Sequence, residues 1–125
     1  KDMQQLKIVT HFIKKNHINT NVIGCKTVRE KNGIACSSRN LLLSLKQKRI
    51  ASKVYKLLSK NKKNLFKKKS SLGKIKKKIK KFGVNKIDYL EILNINKLTK
   101  PYIKNNKNKI FIAYYLGKIR LIDNI

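Results

Sequence analysis

The chain has 125 residues, of which 41% are hydrophobic, and a formal net charge of +28 from 33 basic and 5 acidic residues. This composition excludes wholesale disorder because it supplies enough apolar residues for a core, and no run approaches the roughly 18 apolar residues of a membrane span. Two cysteines are too few for a disulfide scaffold, which favours a reduced, cytoplasmic setting.

The first predicted element is a helix over residues 2–15, where apolar residues recur at three-to-four spacing. Asp2 followed by Gln5 resembles a capping box, with Asp in place of the usual Ser or Thr. Residues 20–24 are β-branched and end at Gly24, which predicts a short strand. A helix followed by a strand indicates the end of an α/β unit.

A second capping box, Ser44 to Gln47, predicts the start of another helix. We expect this helix to end before residues 60–69, which read as a lysine-rich connector. Its predicted apolar face consists of Ile50, Val54, Leu57 and Leu58.

A third helix is predicted after a cap at Ser70 or Ser71, and Gly83 is expected to end it. The lysines of this segment fall on the opposite side of the helix, which is typical of a solvated face. Its predicted apolar face consists of Leu72, Ile75, Ile79 and Phe82.

The last third of the chain is predicted to be a small antiparallel sheet. Residues 87–93 form the first strand, and residues 94–108 form a connection that holds at most one turn of helix. Residues 110–116 and 119–123 flank Gly117-Lys118, a two-residue loop with glycine first, which favours a type II′ hairpin.

The strong positive charge invites a nucleic-acid interpretation, because clustered lysine and arginine neutralise phosphates. Only four basic residues are arginine, however, the residue that reads base edges. Lys, Asn and Ile supply 60 of the 125 residues, and all three have A/T-rich codons. Mutational background therefore explains part of the charge, and specific nucleic-acid binding is not expected. A small lysine-rich RNA- or ribosome-associated binding module stays open as the alternative function.

The candidate metal ligands do not follow a known spacing. His11, His17, Cys25 and Cys36 occur in the order H-x5-H-x7-C-x10-C, whereas structural zinc sites pair their ligands across two to five residues. We therefore predict no metal site, one buried thiol and one loop thiol.

Two segments could bind an anion. The loop 36–39 offers two hydroxyls and a guanidinium, which suit a polyphosphate. Lys1 stands beside the start of the first helix, where backbone N–H groups point toward anions. Each signal alone is weak, because polar loops are common.

Four segments in order resemble motifs of the pantothenate synthetase family. Residues 1–6 resemble the end of its G-E-K-D-x-Q-Q-L segment, and residues 27–44 resemble V-R-E-x-D-G-L-A-M-S-S-R-N-x-Y-L-S. Residues 87–91 are similar to its V-D-Y-L-E strand, and residues 117–124 to its closing G-x-x-R-L-I-D-N. Together these segments extend over almost the whole chain, which makes the resemblance specific.

The resemblance implies an ATP-dependent ligase that joins pantoate to β-alanine through a pantoyl-adenylate and releases AMP and pyrophosphate. It implies an α/β fold, in which the end of a Rossmann-like nucleotidyltransferase domain (residues 1–27) precedes a small α+β domain with an antiparallel sheet (residues 28–125). The implied partners are pantoate, β-alanine and ATP with Mg²⁺, without a prosthetic group or membrane. A cytoplasmic homodimer is also implied.

Carried over by motif, the resemblance assigns roles to eight residues. Gln5 would bind pantoate, and Val28 would meet the adenine through its backbone. The loop 36–39 would close over the ATP phosphates. The implied ATP-binding residues are Lys1, Asp2, Val28, Cys36, Ser37, Ser38 and Arg39.

Three positions depart from the family pattern: Cys36 replaces Met or Leu, Leu42 replaces Tyr, and Asn32 replaces Asp. The family's H-x-G-H motif and its second pantoate glutamine do not occur in this sequence. We therefore expect the chain to be slightly less than the C-terminal half of such an enzyme, with no catalytic residue of its own and no activity in isolation. A degraded gene product that keeps the motifs is a third possibility.

Overall fold

The computed structural model describes residues 1–67, 71–95 and 108–125. None of the helices in these three ranges combines the length and apolar character needed to span a membrane. The elements in chain order are α1 (Met3–Lys15), a short 3-10 helix (Ser38–Leu42), α2 (Leu45–Lys67), α3 (Ser71–Lys81), β1 (Lys86–Asn94), β2 (Asn108–Leu116) and β3 (Ile119–Asn124).

The three strands form one antiparallel sheet, as the sequence predicts, and their order in this sheet is β1-β2-β3. Ile92 of β1 pairs with Ile110 of β2, and Leu116 pairs with Ile119 across the hairpin. Gly117 has a φ of 59°, and among the described non-glycine residues only His17 has a positive φ. Lys118 therefore has a negative φ, which is the pattern of the predicted type II′ turn and not of type I′.

The core lies between α2, α3 and one face of the sheet. Because side chains alternate along a strand, β2 directs Ile110, Ile112 and Tyr114 toward the helices. Both helices bury the faces predicted from their spacing, and α2 also begins with the predicted capping box. The most deeply buried core side chains include Val54, Leu58, Leu65, Ile79, Leu90, Ile92 and Leu116.

The capping box that opens α2 is complete. The Gln47 N–H donates to Ser44 Oγ over 3.2 Å, and the Ser44 N–H donates to Gln47 Oε1 over 2.8 Å. The predicted connector at 60–69 is wrong over residues 60–67, which continue α2. Leu65 is fully buried seven residues after Leu58, so the apolar stripe continues for two more turns while the lysines face outward.

Helix α3 matches its prediction and ends before Gly83, whose φ of 101° suits the end of a helix. Ser71 is its first residue. The alternative cap Ser70, the rest of the predicted connector and most of the predicted 94–108 connection lie outside the described residues.

The N-terminal segment has little contact with this core. Asp2 caps α1 as predicted, since its carboxylate accepts from the Gln5 N–H over 3.0 Å. No residue of α1 is buried, and Ile8 and Phe12 remain 67% and 58% exposed. The predicted strand at 20–24 is wrong: these described residues pair with no strand, and a β-branched segment forms a strand only beside a neighbour that shares its hydrogen bonds.

Candidate functional site

Residues 28–36 form a tight, hairpin-like loop in front of the sheet. Arg29 and Ala35 make an isolated antiparallel bridge, and the Cys36 N–H donates to Val28 O over 3.0 Å. Gly33 closes the turn with a φ of 91°. A Cβ there would lie 2.3 Å from the Tyr55 ring, so the loop needs glycine both for its backbone and for its packing on α2.

Arg29 attaches this loop to the last strand. Its guanidinium donates two parallel hydrogen bonds to the Asp123 carboxylate, over 2.7 and 3.0 Å, and stacks 4.3 Å from the centre of the Tyr55 ring. Burial alone would lower the pKa of Arg29, but the bonds and charge of Asp123 outweigh it and raise that pKa. Only 11% of the Asp123 side chain is exposed, so the carboxylate of this ion pair is largely buried.

The predicted phosphate loop follows directly. Ser37 caps the short 3-10 helix, because its Oγ accepts from the Arg39 N–H over 3.3 Å. Lys1 lies against this loop and donates from Nζ to Cys36 O over 2.8 Å. Asn124 of β3 holds the same lysine by donating from Nδ2 to Lys1 O. Burial first, and the charge of Arg39 second, lower the pKa of Lys1.

Lys1, Ser37 and Arg39 line one cleft, and Asp123 at the end of β3 lines it as well. Two cations and a hydroxyl at one edge of a partly apolar cleft suit an anionic ligand such as a phosphate. The site thus joins segments that are up to 123 residues apart in sequence.

The other predicted site residues do not line this cleft. The Asp2 carboxylate caps α1, and Gln5 lies exposed one turn into that helix. The Val28 side chain is 72% exposed. Cys36 takes part through its carbonyl, while Ser38 is exposed at the start of the 3-10 helix.

The structure corrects the prediction of one buried thiol, since Cys25 and Cys36 are both exposed and unpaired. Over the described ranges, no three histidine, cysteine, aspartate or glutamate side chains come together as a metal site would require.

Sequence reasoning missed the groups that hold the site together, namely Arg29, Asp123 and Asn124. One signal was available in the sequence: Arg29 and Asp123 carry opposite charges, and each lies in one of the quoted family segments. Their partnership, however, is a long-range contact that spacing cannot show.

Solved structures of pantoate-beta-alanine ligases share the fold of this chain. A crystal structure of pantoate-beta-alanine ligase from Francisella tularensis, complexed with beta-gamma ATP and beta-alanine, covers the whole chain at 34% identity and a TM-score of 0.76. A pantothenate synthetase structure from Thermus thermophilus covers it at 27% identity and a TM-score of 0.78. The chain covers 40% and 46% of those two structures.

The family model for pantoate-beta-alanine ligase matches residues 1–125, so the chain belongs to that family. A pantothenate synthetase from Endomicrobium trichonymphae is 42% identical over the whole chain, and one from Flavobacterium psychrophilum is 41% identical. The chain spans 45% and 46% of these two relatives. The resemblance read from the motifs is confirmed, whereas the comparisons give no support to an RNA- or ribosome-associated module.

Proposed function

We propose that this chain contributes the phosphate-closing part of an enzyme that condenses pantoate with β-alanine at the expense of ATP. The pantoate carboxylate attacks the α-phosphorus of ATP, and pyrophosphate leaves. The β-alanine amine then attacks the acyl carbon of the pantoyl-adenylate, the amide forms and AMP leaves. The observation that carries the proposal is the meeting of Lys1, Ser37 and Arg39 at one cleft in a member of this family.

The physical role of these groups follows from where charge develops. Adenylation gathers negative charge on the leaving pyrophosphate, and donors already in place stabilise that charge without reorganisation. Arg39 is exposed and able to reach a ligand, while Lys1 is fixed between the loop and β3. We assign ATP binding to Lys1, Asp2, Val28, Cys36, Ser37, Ser38 and Arg39, and pantoate binding to Gln5.

The described residues do not fit a Mg²⁺ ion held by the protein. The Asp2 carboxylate caps α1, and the Asp123 carboxylate is bonded to Arg29. We therefore treat Mg²⁺ as a companion of the ATP phosphates and not as a ligand of this chain.

The domain arrangement is part of the same proposal. Residues 1–27 would end a Rossmann-like domain, and residues 28–125 would form the α+β domain that closes over ATP. The exposed apolar side chains of α1, including Ile8 and Phe12, support a location of this helix inside a larger domain. Assembly as a homodimer and a cytoplasmic location rest on the family resemblance alone.

A ligase chimera tests the proposal. In this chimera, residues 1–125 replace the segment of the Endomicrobium trichonymphae relative that aligns with the whole chain. We expect it to form pantothenate only when ATP, pantoate and β-alanine are all present, with AMP and pyrophosphate as products. A folded chimera that forms no pantothenate, beside an active parent relative, would contradict the proposed function.

A further inference from the structure

The phosphate loop 36–39 has little packing of its own. Cys36, Ser38 and Arg39 are exposed, and only Ser37 is partly covered. A segment with few apolar contacts depends on hydrogen bonds for a single conformation. Whatever closes the two ends of this loop therefore decides where Ser37 and Arg39 are held.

Asn40 closes the loop at both ends. It follows Arg39 directly, yet only 3% of the residue is exposed. Its Nδ2 donates to Ala35 O over 3.1 Å, which joins the residue after the loop to the residue before it. The same Nδ2 donates to Glu30 Oε1 over 2.6 Å. The buried Nδ2 donor needs such acceptors, because a buried donor left without one is costly.

Glu30 is itself fixed on three sides. Its N–H donates to Ile34 O over 2.9 Å, and its carbonyl accepts from the Gly33 N–H over 2.8 Å. Its second carboxylate oxygen, Oε2, accepts from Asn32 Nδ2 over 2.9 Å. The carboxylate thus stands at a defined point of the 28–36 loop, and Asn40 is attached to that point.

Glu30 is not placed to act on a ligand in the cleft. Both of its carboxylate oxygens already accept a hydrogen bond, and the bonds from Asn40 and then Asn32 lower its pKa. It does not line the cleft, whereas Asn40 does. Its position suits a role that acts through Asn40 and not on the substrate.

We propose that Glu30 and Asn40 form a positioning pair that holds the loop 36–39 in the conformation that receives the ATP phosphates. Glu30 Oε1 accepts a hydrogen bond from Asn40 Nδ2, and the same nitrogen donates to Ala35 O, so the ends of the loop are fixed relative to Glu30. This inference rests on the proposed function, since it assigns Glu30 and Asn40 to the positioning of the same site.

Two single variants break the pair in different ways. Glu30→Gln presents one oxygen and one N–H where Asn40 and Asn32 both need an acceptor. Asn40→Asp places a carboxylate against Glu30 Oε1 and Ala35 O, and removes both donated bonds. In the ligase chimera we expect each to raise the KM for ATP and slow pantoate-dependent ATP–pyrophosphate exchange by about tenfold or more, while the KM for β-alanine stays within about twofold.

The double variant separates a positioning role from general damage to the fold. With Glu30→Gln and Asn40→Asp together, the Gln amide N–H can donate to the Asp carboxylate, so the bond between positions 30 and 40 re-forms with donor and acceptor exchanged, while the bond to Ala35 O stays lost. We expect the double variant to exchange pyrophosphate at least about fivefold faster than Asn40→Asp alone. Asn64→Asp, which makes the same exchange at an exposed position of α2 away from the cleft, is the matched control and should keep parental kinetics.

Three outcomes would each overturn the positioning pair. The first is pyrophosphate exchange at the parental rate in both single variants, and the second is a rise in the KM for β-alanine as large as that in the KM for ATP. The third is a double variant whose loss of exchange rate is the sum of the two single losses. If the parent chimera forms no pantothenate, the proposed function fails, and amide hydrogen exchange in the 125-residue chain then decides the inference. Both single variants should speed exchange at residues 36–40 and leave the β2 amides unchanged, and the double variant should slow it again. Uniformly faster exchange would overturn the inference.

Discussion

Arg29 and Asp123 lie 94 positions apart and meet as a two-bond ion pair, with N···O distances of 2.7 and 3.0 Å. Arg29 belongs to the loop that precedes the phosphate loop, and Asp123 belongs to β3. The neighbour of Asp123, Asn124, holds Lys1. One end of one strand therefore sets the relative positions of both segments that carry the cationic groups of the cleft.

This ion pair should contribute measurably to stability. Arg29→Lys keeps the charge but loses the planar fork and the stacking on Tyr55, so we expect the free energy of unfolding to fall by about 2 kcal/mol. Urea unfolding of the 125-residue chain measures the change. Arg120→Lys is the matched control, since Arg120 also bonds a carboxylate but is more exposed, and its effect should be within about 0.5 kcal/mol. Equal effects of the two substitutions would show that the Arg29 geometry adds nothing.

Arg39 should act in the first half-reaction. In the ligase chimera, we expect Arg39→Ala to slow pantoate-dependent ATP–pyrophosphate exchange by about a hundredfold, because a donor to the developing phosphate charge is lost. Arg49 is also an exposed arginine, on α2, so Arg49→Ala is the control and should leave exchange unchanged. Exchange by the Arg39 variant within about threefold of the parent would remove Arg39 from the site.

The outward lysines of α2 and α3 should not take part in turnover. Lys63, Lys76 and Lys80 are exposed and lie outside the apolar core, so replacing all three by Gln removes charge without removing packing. We expect the ligase chimera to keep its turnover within about twofold and to elute from heparin at lower salt, because such contacts are electrostatic and unselective. A large loss of turnover in a folded variant would show that this face binds something the reaction needs.

The sequence predicts correctly those features of the fold that depend on residues close together in the chain. The Ser44–Gln47 capping box, the buried spacing of Ile75 and Ile79, and the Gly117-Lys118 hairpin all follow from neighbours within a few residues, and all are confirmed. The predicted connector at 60–69 failed because lysine density hid the position of Leu65, whose burial depends on α3 and the sheet. A single apolar residue amid lysines is a weak signal without that tertiary context.

The candidate site was predictable only in part for the same reason. Lys1, Ser37 and Arg39 could be named from motifs, and the structure brings these three together. The residues that position them, such as Asp123 and Asn40, act through contacts made by folding. Asn40 and Glu30 are ten positions apart, and Asp123 and Arg29 are 94 positions apart. Neither separation follows the periodicity of a helix or a strand, so the sequence pattern could not predict these contacts.

The pH dependence of stability in an Asn32 variant tests whether Asn32 holds the Glu30 carboxylate. Its Nδ2 donates to Glu30 Oε2, and its Oδ1 accepts from the Ile34 N–H over 2.9 Å. Asn32→Asp, which installs the residue more usual in the family, keeps the acceptor but sets a second carboxylate 2.9 Å from Glu30. At neutral pH we expect the variant to be less stable than the parent, because two like charges meet in the turn.

The sign of the pH effect follows from the pKa of each carboxyl group. In the parent, the bonds from Asn40 and Asn32 lower the pKa of Glu30, so its stabilising contribution is complete above the unfolded pKa of about 4.3 and is lost as pH falls through the folded value. In the variant, repulsion between Glu30 and the carboxylate introduced at position 32 raises the pKa of this carboxyl pair, so protonation near pH 4 relieves the destabilisation. Both effects shrink the gap between the two proteins as pH falls.

Urea unfolding at pH 7 and pH 4 measures that gap. Asn21→Asp adds the same charge at an exposed position, so it corrects for the general benefit of an added acid in a chain of net charge +28. Relative to Asn21→Asp, we expect Asn32→Asp to be destabilised at pH 7 and to recover most of the difference at pH 4. A gap that stays constant or widens on acidification would show that Asn32 does not hold the Glu30 carboxylate, and would also weaken the case for Glu30 as the fixed point of the phosphate loop.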